Sequence, residues 1–397
     1  MRAKVAQIGL DGHRTFSNAT ARDGEGRVMW RQRLEHADRP ALAEQLRQWP
    51  AGTPVLLEAT FGWGWMSDEL VDAELEPHLV SSNKVAAWRD ARGIAKSNRT
   101  DADLLSELEM SRRWWEVWLA PVEVRDQREW LRYRMTLVAL STGVKNRIHA
   151  VLHRHGIVNQ ESDLFGRSGR EFLKLLVAPG DATLRDSSRA VLAGYLKLLD
   201  QLRGQIAAVT RELRRQLERH PAAGRLRSLP GIAWILAYTI VAEVGRIERF
   251  PSAKHLASYS LLVPRSYDSG DDDGSDPHGR HVGHAGRRTL KWAWIEAAHG
   301  AVRWGGRFRE IFDRHSDGGK KNRGRAYIAV AHELCRLAYS LWKQDRDWSE
   351  EPPQRPGQRP AQRQCGKRGT RVKQQHRTRP GTGQPDHPMV AAVTTNS

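Results

Sequence analysis

At 397 residues the chain is long enough for two domains, and a hydrophobic share of 39% can build ordinary cores. Lys and Arg number 64 against 46 Asp and Glu, a formal charge of +18 that favours polyanionic partners, nucleic acid first. No run approaches the roughly 20 apolar residues that span a bilayer, Met1 to Val5 leads into a strand pattern without a signal core, and Cys335 and Cys365 are too far apart for a disulfide framework or zinc site, so a cytoplasmic protein off the membrane is expected.

In chain order, Val5 to Asp11 reads as a strand, followed by alternating runs Arg14 to Ala21 and Arg27 to Arg33 joined through Asp23-Gly-Glu-Gly26. A short helix after Pro40, a buried strand Val55 to Glu58, a helix from about Gly64 to Leu75, a strand near His78 to Ser81 and a helix from near Asn98 complete a βββαβαβα order, which predicts a mixed sheet. A long basic helix covers Arg125 to His153. Apolar residues at Leu192, Tyr195, Leu199, Leu202, Ile206, Val209, Leu213 and Leu217 step by threes and fours, the spacing of a coiled-coil seam. That seam fits either a spacer or dimerisation arm or a helix packed on its own domain. From Arg225 to Lys343 the pattern is globular and largely helical, entered through Leu229-Pro-Gly-Ile232. The segment from about Glu350 is rich in Pro, Gln, Gly and Arg; from Arg355 on, nine Lys and Arg stand against the single acid Asp386, and a disordered basic tail is expected. The resulting division is an α/β domain over 1–156, a helical coiled-coil linker over 157–221, a mainly α domain over 222–345 with a helix-hairpin-helix-like start, and the tail over 346–397.

Three groups of residues carry chemistry. Asp11 and Glu58 close two strands and Asp101 lies on a later helix, so three acids can converge; phosphodiester chemistry needs such hard oxygen ligands for Mg²⁺ or Mn²⁺. Each acid alone is as well read as a solvated strand end or a helix cap. The turn at Gly231 can present backbone N–H groups to phosphates, although Pro-Gly starts are also common structural punctuation. Basic residues at Arg128, Arg132, Lys145 and Arg147, and at Arg265, Arg287, Arg288 and Lys291, suit a phosphate path in DNA or RNA, while the neighbouring tryptophans read as core. Ser269-Gly270 sits in a polar loop, which by itself is a turn.

The ordered set Ile8-Gly-Leu-Asp11, Glu58-Ala-Thr60, Lys96-Ser-Asn-Arg-Thr-Asp-Ala102, Lys145-Asn-Arg147, Leu229-Pro-Gly231, Ala242-Glu-Val-Gly245, Arg249-Phe250, Ser258-Tyr-Ser-Leu-Leu-Val-Pro264 and Ser269-Gly270 resembles the DEDD transposases of insertion-sequence family 110, over nearly everything up to Lys343. The resemblance implies an RNase-H/RuvC-like first domain whose acidic site carries over to Asp11, Glu58 and Asp101, and a C-terminal transposase domain whose nucleophile carries over to Ser269. It also implies a composite site, strand exchange through a covalent protein–DNA intermediate, DNA as element ends and target, a structured guide RNA, and a homo-oligomer, dimer or tetramer. The chain departs from the family at Asn98, where an aspartate three residues before Asp101 is usual; an amide oxygen replaces a carboxylate and metal binding should weaken. Asp103, two residues on from Asp101, points elsewhere on the helix and cannot substitute. Further departures are Ser260 for a usual glycine and the acidic run Asp271 to Asp273 beside the serine. Two other readings follow: a junction resolvase or nuclease that uses metal-activated water, and an inactive copy that only binds nucleic acid.

Overall fold

One mixed sheet and its covering helices occupy the first part of the chain. In the computed structural model, residues 4–95, 98–111, 116–158, 162–179, 183–263 and 287–349 are described. The elements run β1 (Val5–Gly12), β2 (Phe16–Asp23), β3 (Val28–Glu35), α1 (Arg39–Arg47), β4 (Pro54–Glu58), α2 (Trp63–Asp72), β5 (Glu76–Val80), α3 (Ser82–Ala91) and α4 (Asn98–Ser111). The strand order is β3-β2-β1-β4-β5, antiparallel across β3, β2 and β1 and parallel across β1, β4 and β5. The mixed sheet agrees with the alternation in the sequence. Helix α3 was not anticipated, and α2 ends before Leu75.

Local chemistry explains the joints. Asp23 accepts the backbone N–H groups of Glu25 and Arg27, closing the β2–β3 turn around Gly26 at φ 84°. Asp38 caps α1 by accepting from the Ala41 N–H, and Pro40 sits in the first turn where its missing donor costs nothing. Ile8, Leu10, Val55 and Leu57 face Leu42, Leu46, Met66 and Leu70 on one side of the sheet. On the other side Leu56 and Val80 meet Val85, Leu104, Leu105 and Leu108. Helix α4 lies against β1 at Gly9: a Cβ there would stand 2.3 Å from the Ala102 carbonyl oxygen and 2.2 Å from the Ser106 nitrogen.

The remainder is helical: α5 (Val122–Arg154), α6 (Arg167–Leu176), α7 (Asp186–Glu218), α8 (Ala222–Arg227), α9 (Trp234–Val244), a 3-10 turn Ile247–Arg249, α10 (Ala253–Tyr259), α11 (Arg288–Trp304), α12 (Gly306–Ser316) and α13 (Arg323–Lys343). Arg134 meets Thr210 and His155 meets Ser188, so α5 and α7 run antiparallel. Leu192, Leu199, Leu202, Val209, Leu213 and Leu217 of the heptad seam are buried in the core cluster that contains Leu131, Leu137, Val144, Ile148 and Val151 of α5. The seam is thus covered within its own chain, and each fully buried leucine contributes about 1.5–3 kcal/mol. The described residues up to Trp348 form one compact unit, and the basic tail expected from about Glu350 lies outside the described residues. No described helix is long and apolar enough to cross a membrane.

Candidate active site

Register and pleat place the acids. Gly9 pairs with Leu56 and Leu10 with Leu57 in parallel, so Asp11 and Glu58 follow side by side at the carboxyl ends of β1 and β4. Side chains alternate along a strand, which puts Asp11 on the face of Gly9 and Glu58 on the face of Leu56, the face that α4 covers. Asp101, in the first turn of α4, directly precedes the Ala102 whose carbonyl touches Gly9. The fold therefore brings all three acids to one end of the sheet. Among the described residues, no three His, Cys, Asp or Glu side chains are arranged to hold a metal ion. Carboxylates on adjacent strand ends and on the covering helix are the hard oxygen donors that a divalent cation of the Mg²⁺ type would take. Asn98 is the first residue of α4; its side chain lies outside the described set.

Asp11 and Asp101 have basic company, as does Asp103. His13 Nε2 lies 2.9 Å from Asp11 Oδ2. Arg89 Nη1 lies 3.4 Å from Asp101 Oδ1. Asp103 accepts from Thr20 Oγ1 at 2.8 Å and from Arg31 Nε and Nη2, both at 2.9 Å, and so faces β2 and β3 as its spacing predicted. Burial raises the Asp103 carboxyl, but the Arg31 and Thr20 hydrogen bonds outweigh it and hold the group below the usual carboxylate range. A narrow cleft beside Glu58 is lined by His13, Ser17, His36, Trp63 and Trp65, with Phe61, 94% exposed, at its rim. Ser17 Oγ and His36 Nε2 are 2.8 Å apart, and burial holds His36 below the ordinary histidine range.

A second charged centre joins α5 to α9. Arg128 Nε donates to the Ala242 carbonyl at 2.8 Å and Nη2 to the Glu243 carbonyl at 3.0 Å, while Glu243 Oε2 takes Arg287 Nη1 at 3.2 Å and lies 4.0 Å from Arg128 Nε. Arg249 donates to the Val244 carbonyl and stacks on Trp118, which packs against Gly245. These guanidiniums satisfy the carbonyls at the end of α9 and suit its negative pole. Two residues expected at nucleic acid have structural partners here. Arg128 is 4% exposed and holds helix ends instead of lining a nucleic-acid groove. Gly231, at φ 82°, packs backbone to backbone against α11, where a Cβ would stand 2.1 Å from the Ala297 carbonyl oxygen.

Arg132 and Arg147 are exposed on α5, Lys145 reaches over Phe165, Arg288 is exposed at the start of α11, and Lys291 is half-buried one turn on. Ser269 and Arg265 lie outside the described residues. Sequence reasoning passed over Lys320, Lys321, Arg323 and Arg325, which surround the start of α13; all four are exposed, and none is in an ion pair with a described residue. Four basic residues in six positions were the signal that could have found them.

Residues 8–157 match a family model described as a transposase of the DEDD, IS110 type, and residues 223–313 match one described as the transposase IS116/IS110/IS902 family. The chain is 28% identical over 178 residues to the insertion element IS110 uncharacterized 43.6 kDa protein of Streptomyces coelicolor, covering 45% of this chain and 42% of that one. It is 24% identical over 270 residues to the transposase for insertion sequence element IS1111A of Coxiella burnetii, covering 67% and 70%. A pilin gene-inverting protein of Moraxella bovis is 29% identical over 131 residues, 32% of this chain and 39% of its own length.

Proposed function

We propose, from the premise that the chain belongs to the IS116/IS110/IS902 family of transposases, that it cleaves and exchanges DNA strands with Asp11, Glu58 and Asp101 as ligands of Mg²⁺ or Mn²⁺ and Ser269 as nucleophile. What supports this reading is the register that sets Asp11 beside Glu58, together with the packing onto Gly9 of α4, the helix that carries Asp101. A bound divalent cation would polarise the scissile phosphate. The Ser269 hydroxyl attacks phosphorus; the serine oxygen–phosphorus bond forms as a sugar oxygen–phosphorus bond breaks, and the serine proton ends on the departing sugar oxygen. Attack by the hydroxyl of a second strand reverses these changes and frees the serine. The phosphodiester count is conserved, so the exchange needs no external energy source. A relative named for inverting a pilin gene supports exchange over simple excision, since inversion requires rejoining both cut ends. Phe61 suits stacking on a displaced base. An RNase-H/RuvC-like ancestry for the sheet domain, a structured guide RNA along the exposed Arg132 and Arg147, and a dimer or tetramer belong to the same reading.

The test is recombination between plasmids bearing the element's ends. Ser269→Ala is expected to reduce exchange to background and to remove the protein–DNA adduct seen on denaturing gels. Asn98→Asp, which restores a fourth carboxylate, is expected to raise the rate. Full exchange by Ser269→Ala would assign cleavage to metal-activated water instead. Asn98 also favours a second reading, a copy that binds nucleic acid without cutting it; inactivity of native and Asn98→Asp chains with binding retained would select that one.

The basic turn before α13 makes a separate prediction. Replacing Lys320, Lys321, Arg323 and Arg325 by alanine should weaken duplex binding and flatten the plot of log affinity against log salt by about 0.9 for each phosphate that is no longer neutralised. Fluorescence anisotropy across a salt series measures it, and an unchanged slope would remove the turn from the interface.

A further inference from the structure

We propose that Arg89 is the internal counter-cation of Asp101 in the metal-free chain, and that the site takes up its divalent cation by exchanging it for this guanidinium. The inference rests on the reading of Asp101 as a metal ligand. Helix α3 buries Val85 and packs Trp88 against Leu104, Leu105 and Leu108 of α4, which delivers the next residue, Arg89, to the first turn of α4. The Arg89 and Asp101 side chains are only 13% and 10% exposed. A carboxylate so far out of water needs a cation or several donors. For Asp101 the cation is Arg89.

The way the pair is made matters as much as its presence. Asp103, two residues away on the same helix, is held by two 2.9 Å bonds from Arg31 and a third from Thr20. Among the described residues, Asp101 is held by Arg89 through a single contact of 3.4 Å, and Arg89 also leans on Asp90, 73% exposed, with Nε 3.6 Å from its carboxylate. One aspartate is locked by a bidentate fork, and the other is neutralised by a long contact to an arginine that has a second, solvent-facing carboxylate to move to. That is the arrangement an exchangeable ligand requires. A divalent cation on Asp101 would sit beside the guanidinium charge, so Arg89 must turn to Asp90 as the metal enters. Arg89 thereby sets metal affinity without touching DNA.

The test is Mn²⁺ titration of the full chain, following free Mn²⁺ by electron paramagnetic resonance, with melting curves for each variant. A unit charge about 4 Å away is worth roughly 1–4 kcal/mol between water and a protein surface; with the guanidinium charge gone, Arg89→Gln is expected to bind Mn²⁺ about tenfold more tightly, to melt lower without metal, and to recover with it. Arg89→Lys, which keeps the charge, should stay near native affinity, and Asp101→Asn should lose binding. Unchanged or weaker binding by Arg89→Gln, with Asp101→Asn still deficient, overturns the counter-cation role and leaves the metal reading intact. Mn²⁺ binding indifferent to Asp101→Asn overturns both. If Arg89→Gln and Arg89→Met stay unfolded even with saturating Mn²⁺, the proposal also falls, since it holds that the metal takes over the neutralising role.

Discussion

A chain carrying Gly9→Ala is expected to unfold at a clearly lower urea concentration than the native chain and to lose strand exchange altogether. The added methyl carbon would stand 2.2 Å from the Ser106 nitrogen, 2.3 Å from the Ala102 oxygen and 2.8 Å from the Leu105 carbon, all backbone atoms of α4. No rotamer change relieves such contacts; the helix itself must move away from β1. Overpacking of this kind costs about 1–3 kcal/mol, occasionally more, and backbone collision places Gly9 at the upper end. The displacement has a chemical consequence because Asp101 precedes Ala102 and Asp11 lies two residues beyond Gly9: separating helix and strand separates the acids. Gly204→Ala is the control, since that exposed site in α7 has open space around it and the substitution should stabilise by about 0.5–1 kcal/mol. Urea midpoints at constant slope measure both effects. A native midpoint for Gly9→Ala would show that α4 is not seated on β1 as described.

The acids were legible because strand patterns and residue spacing are local properties. Val5 to Asp11 reads as a strand and ends on an acid, Glu58 closes a buried apolar run, and the two-residue offset of Asp103 already turned it away from Asp101. Arg89 was invisible for the opposite reason. Its helix buries only Val85 fully, so the periodic signal is faint, and an arginine's partner is set by the packing of α3 on α4 rather than by its neighbours in sequence. The heptad seam of α7 illustrates a related limit: periodicity declares that a stripe must be covered but does not name the cover, which is α5 of the same chain. Arg128 and Gly231 have structural roles that residue type did not announce. A basic helix and a Pro-Gly turn fit phosphate binding, yet a guanidinium is also a good cap for the carbonyls of α9, and a glycine at φ 82° also permits close contact with α11.

Replacing Glu243 by leucine should be among the most destabilising single changes in the helical region. Glu243 and Arg128 have side chains 3% and 4% exposed, and the leucine variant would leave the Arg128 charge buried against two carbonyls and the Trp118 ring, with its carboxylate gone. Breaking a buried pair from one side costs about 3–5 kcal/mol. Burial first, and then the neighbouring Arg287, pull the Arg128 guanidinium down to about 10. Because that value lies below the ordinary arginine range, the charged form is disfavoured in the folded chain throughout neutral pH, and the penalty would fade only as pH rises past about 10. Glu243 is among the groups that hold the guanidinium up, so its replacement by leucine lowers the Arg128 value further. Substituting both partners, as Arg128→Met with Glu243→Leu, should cost less than the sum of the single changes, since an apolar pair has no charge to strand. Arg287, 29% exposed, can swing to water when Glu243 is replaced, so its own replacement by alanine should affect stability far less. It stands immediately after the segment bearing Ser269, however, and anchors the start of α11 to α9. Arg287→Ala is thus expected to keep a near-native urea midpoint while slowing strand exchange. Equal losses of stability in Arg287→Ala and Glu243→Leu would instead make the cluster a packing element with no bearing on the serine.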